Sequence, residues 1–189
     1  MTKKIYLAGP EVFLSNAREI LDRKASIARE AGFTPLSPGD LQIPPADTRI
    51  AHGCNINAVD EQMMVEADAI IANITPFRGI AADTGTSYEL GFMCALNKRV
   101  FAYTNVATNH FSRVMKYYHG IAAPDDAGRF RGPDGLSIEN FDMADNLMLH
   151  GGIIRRGGVV IVGDAHPDEI FTDLSAFREC LAIAASQLL

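Results

Sequence analysis

Two acidic residues, Asp83 and Glu89, flank a run of small side chains in the segment DTGTSYELG. The small residues predict a tight turn into a helix, with Gly85 in the turn and Thr84 or Thr86 capping the first N–H groups. A carboxylate in the first helical turn is stabilised by the helix dipole by roughly 0.3–1 kcal/mol. This would keep Glu89 ionised, as a nucleophile must be. An inert surface glutamate would gain the same stabilisation, so the segment alone leaves both interpretations open.

A third carboxylate, Asp60, lies in a segment predicted to be helical, next to the apolar residues Val59, Met63 and Met64. Partial burial among these side chains would raise its pKa, and a carboxyl group that holds a proton near neutral pH can act as a general acid. Because Glu61 follows directly, the alternative interpretation is a solvated acidic face of the helix.

The first apolar run, which contains Tyr6, is followed by Gly9, Pro10 and Phe13. Glycine lets a ligand approach the backbone closely, and the ring of Phe13 can pack against a flat molecule. The alternative is a simple tight turn with Tyr6 in the core.

Alternating strand and helix signals along the chain would position these residues. Short apolar runs predict five strands, at residues 5–8, 33–36, 68–74, 99–104 and 157–163. Helices are predicted at residues 15–31, 56–66, about 85–97 and within 167–189. Ser15 is the expected N-cap of the first helix, and Gly32 its end. This alternation predicts an α/β fold with a parallel sheet and helices on both faces, whose ligands bind where the strands end.

Residues 105–158 break the alternation, because they are rich in Gly, Asp and Asn and contain the turn-dense stretch PDDAGRFRGPDG. A helix is predicted within 137–151. Long segments of this kind tend to be lids, binding loops or interface segments. With no internal repeat in the sequence, the chain is expected to be a single domain over 1–189, with a long insert at about 105–158.

The composition favours an ordinary globular protein, with 48% hydrophobic and 21% charged residues and a net charge of -6. No basic run suits nucleic acid or an anionic membrane, and no apolar stretch is long enough for a secretory signal or a membrane span. Three widely spaced cysteines, Cys54, Cys94 and Cys180, offer no metal pattern and suit a reducing compartment. A cytoplasmic location, with no nucleic-acid or membrane partner, is therefore expected.

Four motifs in this order resemble those of the nucleoside 2-deoxyribosyltransferase family. They are IYLAGP followed by Phe13, Asp60 eight residues before DAIIANITPFRG, DTGTSYELGF, and DNLM at 145–148. The resemblance runs from residue 5 to about residue 104, with a second patch near residue 146. It implies a flavodoxin-like, doubly wound parallel five-stranded sheet with helices on both faces.

The resemblance implies a double displacement without a metal or cofactor. Glu89 would attack C1′ of a 2′-deoxyribonucleoside and expel the base, and a free nucleobase would then attack the deoxyribosyl-enzyme intermediate. Asp60 would protonate the leaving base, and Tyr6 would orient Glu89. Asp83 would contact the sugar hydroxyls, and Phe13 would line the base site.

The same resemblance places Gly9, Pro10 and Gly85 among the substrate-binding residues. It also implies a homo-oligomer, from dimer to hexamer, in which Asn146 and Met148 enter a neighbouring subunit's pocket. The loop NITPFRG, which carries Arg78, slightly favours a purine over a pyrimidine, although Arg78 can equally be a surface residue.

Two other functions stay open from the sequence. One is an N-glycosidase that releases a free base from a nucleoside or nucleotide, with water in place of the second base. Asp83 and DNLM favour the transferase over this hydrolase. The other is a non-catalytic nucleotide-binding module, which is weakened because the sequence contains neither a P-loop nor a G-x-G-x-x-G motif.

Overall fold

A parallel sheet forms the centre of the computed structural model, which describes residues 2–189. Its strands are β1 (Lys4–Ala8), β2 (Thr34–Leu36), β3 (Ala69–Asn73), β4 (Arg99–Thr104) and β7 (Val160–Val162). A two-stranded hairpin outside this sheet is formed by β5 (Ala123–Pro124) and β6 (Phe130–Arg131). The order β2-β1-β3-β4-β7, with all four pairs parallel, is that of flavodoxin-like folds and confirms the predicted fold class.

Six helices accompany the strands in the described part of the chain, residues 2–189. They are α1 (Ala17–Glu30), α2 (Arg49–Glu66), α3 (Thr84–Ala95), α4 (His110–Tyr117), α5 (Leu147–Ile154) and α6 (Ser175–Leu188). Short 3-10 helices span Pro10–Phe13 and Pro167–Glu169. Among residues 2–189, none of the helices has the length and apolar character needed to cross a membrane.

Side chains alternate between the two faces of the sheet and build two cores. On one face, Leu7 and Phe101 pack in a cluster with Ile20 of α1 and Phe177 of α6. The other cluster takes Tyr6 from the sheet, with helical side chains from α2, α3 and α5. Since the central strands are covered on both sides, their residues are mostly apolar and almost all buried, as in other buried parallel sheets.

Two predicted helix starts were wrong. The first helix has Asn16 at its N-cap instead of Ser15, and no side chain caps it. The second begins at Arg49, seven residues before the predicted start, because Thr48 Oγ1 accepts the N–H of Ala51 at 3.1 Å and stabilises a polar first turn. Gly32 does follow α1 as predicted, with a φ of 94° that suits glycine.

The insert differs from its prediction as well. The helix expected within 137–151 begins at Leu147, because Asn146 caps it by accepting the N–H of Met148 at 3.0 Å. Helix α4 and the β5–β6 hairpin were not predicted, since neither carries a long periodic apolar pattern. The insert therefore contains two short helices and a hairpin.

Candidate active site

A cavity of about 580 Å³ opens at the carboxyl end of the sheet, beside the point where the chain changes direction between β1 and β3. Open α/β sheets bind ligands at this place. Six of the residues singled out from the sequence line it: Gly9, Phe13, Asp60, Asp83, Gly85 and Glu89. Apolar side chains, among them Leu21 and Ile56, form other parts of the wall. The fold thus brings together residues from the loop after β1, from α2 and from the start of α3.

Tyr6 lies beneath this cavity and is tied directly to Glu89. The tyrosine is fully buried in β1, and its hydroxyl donates a hydrogen bond to Glu89 Oε1 at 2.7 Å. Burial, together with the nearby charge of Glu89, raises the pKa of Tyr6 far above its usual value, so the phenol keeps its proton. Tyr6 can therefore act as a fixed neutral donor that orients one oxygen of Glu89. The other oxygen, Oε2, accepts no hydrogen bond from residues 2–189.

The structure corrects the predicted electrostatics of Glu89. This residue lies in the second turn of α3, whose first turn holds no acidic side chain, so the helix dipole is not its main stabilisation. Burial, together with the charges of Asp60 and Asp83, raises the pKa of Glu89 to about 7 against the opposing effects of Tyr6 and Lys24. Near neutral pH Glu89 is thus poised between its protonated and ionised forms.

Asp60 lies on α2 and faces the same cavity. Its burial raises its pKa to about 6, in the direction that the apolar neighbours in the sequence predict. The site therefore holds two carboxyl groups, Asp60 and Glu89, that both exchange protons close to neutral pH. One can supply a proton while the other supplies a negative charge.

Asp83 caps the helix that carries Glu89. Its Oδ2 accepts hydrogen bonds from the backbone N–H of Thr86 at 3.0 Å and from the Thr86 hydroxyl at 3.2 Å. The prediction of Thr84 or Thr86 as the cap was therefore wrong, because Thr86 is the donor in the capping contact. The other carboxylate oxygen, Oδ1, accepts no hydrogen bond from residues 2–189.

Aromatic side chains form one rim of the cavity. Phe13 is 54% exposed and stacks on Phe77 with a centroid separation of 5.1 Å. The guanidinium of Arg78 lies over both rings, 5.2 Å from Phe13 and 4.6 Å from Phe77. Phe13 thus offers a ring surface of fixed orientation. Pro10 was predicted to bind substrate, but it is buried in its 3-10 turn and is not part of the cavity wall.

Asn146 and Met148 lie away from this cavity, at the start of α5. The amide of Asn146 donates to Glu139 at 2.8 Å and also caps the helix. Met148 is 74% exposed and lines a second cavity of about 550 Å³ together with Phe141. Their entry into a neighbouring subunit's site stays a prediction.

A buried polar cluster near the site was missed in the sequence. Glu11 Oε1 accepts hydrogen bonds from Lys24 at 2.8 Å, Asn73 at 3.1 Å and Tyr103 at 2.9 Å. Both charged residues are fully buried. One signal could have found the cluster: Lys24 occupies a core-facing position of α1 in line with the buried Ile20. Helical periodicity places a lysine inside the apolar stripe only when it has a buried partner.

Within residues 2–189, no group of three or more His, Cys, Asp or Glu side chains is arranged to hold a metal ion.

Comparison with protein-family models identifies one family. The sequence model of the family described as nucleoside 2-deoxyribosyltransferase matches residues 5–148, most of the chain. A 2-desoxiribosyltransferase from Leishmania mexicana has a similar structure, with a TM-score of 0.68 and 29% identity over 99% of each chain. An uncharacterised protein of Schizosaccharomyces pombe is 29% identical over 199 residues, which cover 97% of this chain and 89% of the relative. A conserved protein from Enterococcus faecalis V583, with a TM-score of 0.61 and 17% identity over the whole of both chains, shares the fold.

Proposed function

We propose that this chain, which belongs to the nucleoside 2-deoxyribosyltransferase family, transfers a 2-deoxyribosyl group from one nucleobase to another. The observation that carries the proposal is the meeting of Asp60, Asp83 and Glu89 in one cavity, with the hydroxyl of Tyr6 bonded to Glu89. Three carboxylates in one cavity suit a reaction that develops positive charge on a sugar and moves a proton to a base.

In the first half of the proposed reaction, ionised Glu89 attacks C1′ of a 2′-deoxyribonucleoside through Oε2, the oxygen that Tyr6 leaves free. The bond between C1′ and the base nitrogen breaks, and its electron pair goes to the base. Asp60 gives its proton to the base, because nucleobases leave poorly as anions. The product is an ester between Glu89 and the 2-deoxyribosyl group, together with a neutral free base.

In the second half, a nitrogen of another nucleobase attacks C1′ of the ester. The bond from C1′ to Glu89 breaks and returns its electrons to the carboxylate. Asp60, now ionised, takes the proton from the incoming base, so both carboxyl groups regain their initial states. One cavity can perform both steps because the sugar stays attached while the bases exchange.

Two other contacts would position the donor. The unpartnered Oδ1 of Asp83 can accept a hydrogen bond from a sugar hydroxyl, since Oδ2 is used in capping Thr86. The exposed ring of Phe13 can stack on the base. A hydroxyl at C2′ would have to fit against Glu89, which would favour 2′-deoxyribonucleosides.

We also propose a preference for purines over pyrimidines. The cavity of about 580 Å³ with Phe13, Leu21 and Ile56 in its wall suits the larger apolar ring system. Competition between deoxyinosine and thymidine as donors, with adenine as the acceptor, measures this preference through the ratio of the two kcat/KM values. A ratio that favours thymidine would overturn it.

For assembly, we propose a homo-oligomer whose subunits meet through the α5 side of the molecule. The exposed side chains Phe141 and Met148 lie together there, beside the second cavity. Light scattering on the purified chain measures the mass. A monomer at assay concentration would contradict this arrangement.

The decisive assay incubates the protein with deoxyinosine and adenine and separates the products by chromatography. Deoxyadenosine and hypoxanthine in equal amounts support the transferase. Hypoxanthine without deoxyadenosine would identify a hydrolase, and the absence of any product from several donors would point to a binding module. Mass spectrometry after mixing with deoxyinosine alone should show the protein with one added 2-deoxyribosyl group, which Glu89→Ala should lack.

A further inference from the structure

Asp145 is a fully buried carboxylate that the proposed reaction does not use. It belongs to the insert and directly precedes Asn146, the cap of α5. Its Oδ1 accepts the N–H of Asn146 at 2.7 Å. Its Oδ2 accepts the N–H of Ala82 at 3.0 Å and a guanidinium N–H of Arg113 at 3.0 Å. One side chain therefore joins the insert to the loop between β3 and α3.

Arg113 strengthens the same connection from α4. Three of its other guanidinium N–H groups donate to backbone carbonyls: those of Ile80 at 2.7 Å, Thr108 at 2.6 Å and Ala144 at 2.8 Å. Ile80 and Ala82 are thus both held by the pair of Arg113 and Asp145. Charge-assisted hydrogen bonds in a buried setting fix geometry more firmly than neutral ones.

The loop that receives these bonds leads directly into Asp83, which follows Ala82 in the sequence. On its other side Asp83 is fixed by its own bond to Thr86 in α3. The direction of the free Oδ1 of Asp83 therefore depends on two anchors, the helix behind it and Asp145 before it. If the second anchor is weakened, the carboxylate can rotate away from a bound sugar while the helix stays in place.

We propose that Asp145, together with Arg113, is a positioning residue for the donor's sugar and acts through Asp83. The inference rests on the proposed function, because it needs a sugar hydroxyl on Asp83. A role in folding alone would weaken every substrate equally. A positioning role weakens the donors that reach Asp83 and spares those that do not.

The test takes the 3′-hydroxyl as the sugar hydroxyl that Asp83 binds, and compares deoxyinosine with 2′,3′-dideoxyinosine, which lacks it. In Asp145→Asn we expect kcat/KM for deoxyinosine to fall about 10-fold, mainly through a higher KM, because one oriented hydrogen bond is lost. For 2′,3′-dideoxyinosine we expect kcat/KM to change by less than about threefold. Asp145 would influence the donor only through the contact between Asp83 and the 3′-hydroxyl, which this donor lacks. If 2′,3′-dideoxyinosine is not a donor, its inhibition constant against deoxyinosine is compared instead.

Controls separate the possible outcomes. Asp126→Asn makes the same change at an exposed position of the same insert and should alter neither donor. If Asp145→Asn does not fold, because Arg113 is left as a buried unpaired charge, the double variant Asp145→Asn with Arg113→Leu removes both charges and is measured in its place. Equal losses for the two donors would overturn the positioning role. Failure of the unmodified protein to transfer from deoxyinosine would instead overturn the proposed function, and the inference with it.

Discussion

Glu11 and Glu89 are two glutamates at the same edge of the sheet, in opposite surroundings. Glu11 is fully buried and contacts the ammonium group of Lys24 at 2.8 Å. Two neutral donors, Asn73 and Tyr103, complete the shell around its Oε1. Glu89 has one neutral donor, Tyr6, and shares its cavity with two more carboxylates.

The difference shows how this fold separates structure from chemistry. A buried carboxylate in contact with a cation joins separate parts of the protein through an ion pair. Glu89 is only partly buried and shares its cavity with two like charges; its pKa is about 7, so it can change its protonation or form a bond. We expect Glu11 to contribute to stability and Glu89 to contribute to rate, and the following substitutions test this division.

The largest effect is expected for Glu89→Ala, which removes the proposed nucleophile. Transfer from deoxyinosine to adenine should fall by roughly 10⁴-fold or more, because no other group can form the ester. Circular dichroism should show an unchanged fold. The control Glu19→Ala makes the same change on the exposed face of α1 and should keep full activity. Substantial transfer by Glu89→Ala would contradict this division between the two glutamates, since Glu89 would then not be the nucleophile.

Glu11→Gln should have the next largest effect, on the free energy of unfolding. The substitution leaves the ammonium group of Lys24 buried without a carboxylate, which should lower that free energy by about 3–5 kcal/mol. Urea denaturation measures it. The double variant Glu11→Gln with Lys24→Met, which removes both charges, should recover much of the loss. An unchanged urea midpoint in Glu11→Gln would show that the buried ion pair is not structural.

Asp60→Asn tests whether Asp60 is the proton donor and Glu89 the ionised nucleophile. Activity needs Glu89 ionised, which is favoured as pH rises, and Asp60 protonated, which is favoured as pH falls. With pKa values of about 7 for Glu89 and about 6 for Asp60, a plot of kcat/KM against pH should be bell-shaped, with its maximum between these values. Because the two groups interact, the acidic and alkaline limbs describe the pair of carboxyl groups and not one residue each.

In Asp60→Asn we expect a rate about 10²-fold lower at the optimum, because the proton donor is lost. The alkaline limb should disappear, leaving a rate that rises with pH and levels off. Its midpoint should report Glu89 alone, with a pKa lower than in the unmodified protein, since the charge of Asp60 no longer raises it. A bell that persists in Asp60→Asn would assign the alkaline limb to another group.

The smallest effect is expected for Glu89→Gln, on the free energy of unfolding. Because the folded pKa of Glu89 is raised to about 7 from an ordinary value of 4.5, the protein should lose stability as pH rises through this interval. Glutamine does not titrate, so Glu89→Gln should be about 1–3 kcal/mol more stable than the unmodified protein at pH 8, with no gain at pH 4. Thermal unfolding at the two pH values measures the difference. A gain of equal size at both would contradict the raised pKa.

The sheet was predictable because its strands are short, continuous apolar runs whose burial on both faces leaves a local signature. The starts of the helices were harder to predict, because a start can depend on a single capping contact. Asp83 caps α3 although Thr84 and Thr86 also have the right side chains, and the choice is made in three dimensions.

Within the site, the sequence identified Tyr6, Asp60, Asp83 and Glu89 as candidates, and the structure brings all four together. It could not give the pKa of Glu89, because that depends on the burial and on charges from α2 and from the start of α3. The pairing of Glu11 with Lys24 was also not predicted: the core-facing position of Lys24 on α1 indicates a buried partner, but Glu11 lies on a separate element and nothing in the sequence singles it out as that partner.

Asp83 lies at the N-cap of α3 and Glu89 in its second turn, so the helix fixes the distance between the two carboxylates. Six residues of α-helix correspond to a rise of about 9 Å, so the separation of the two carboxylates is set by the backbone itself. A single residue inserted between them would turn Glu89 by about 100° around the axis, away from both Tyr6 and the cavity. Chain length should thus be strictly conserved between residues 83 and 89, whereas the turn joining β5 and β6, which forms no part of the cavity wall, should accept added or deleted residues.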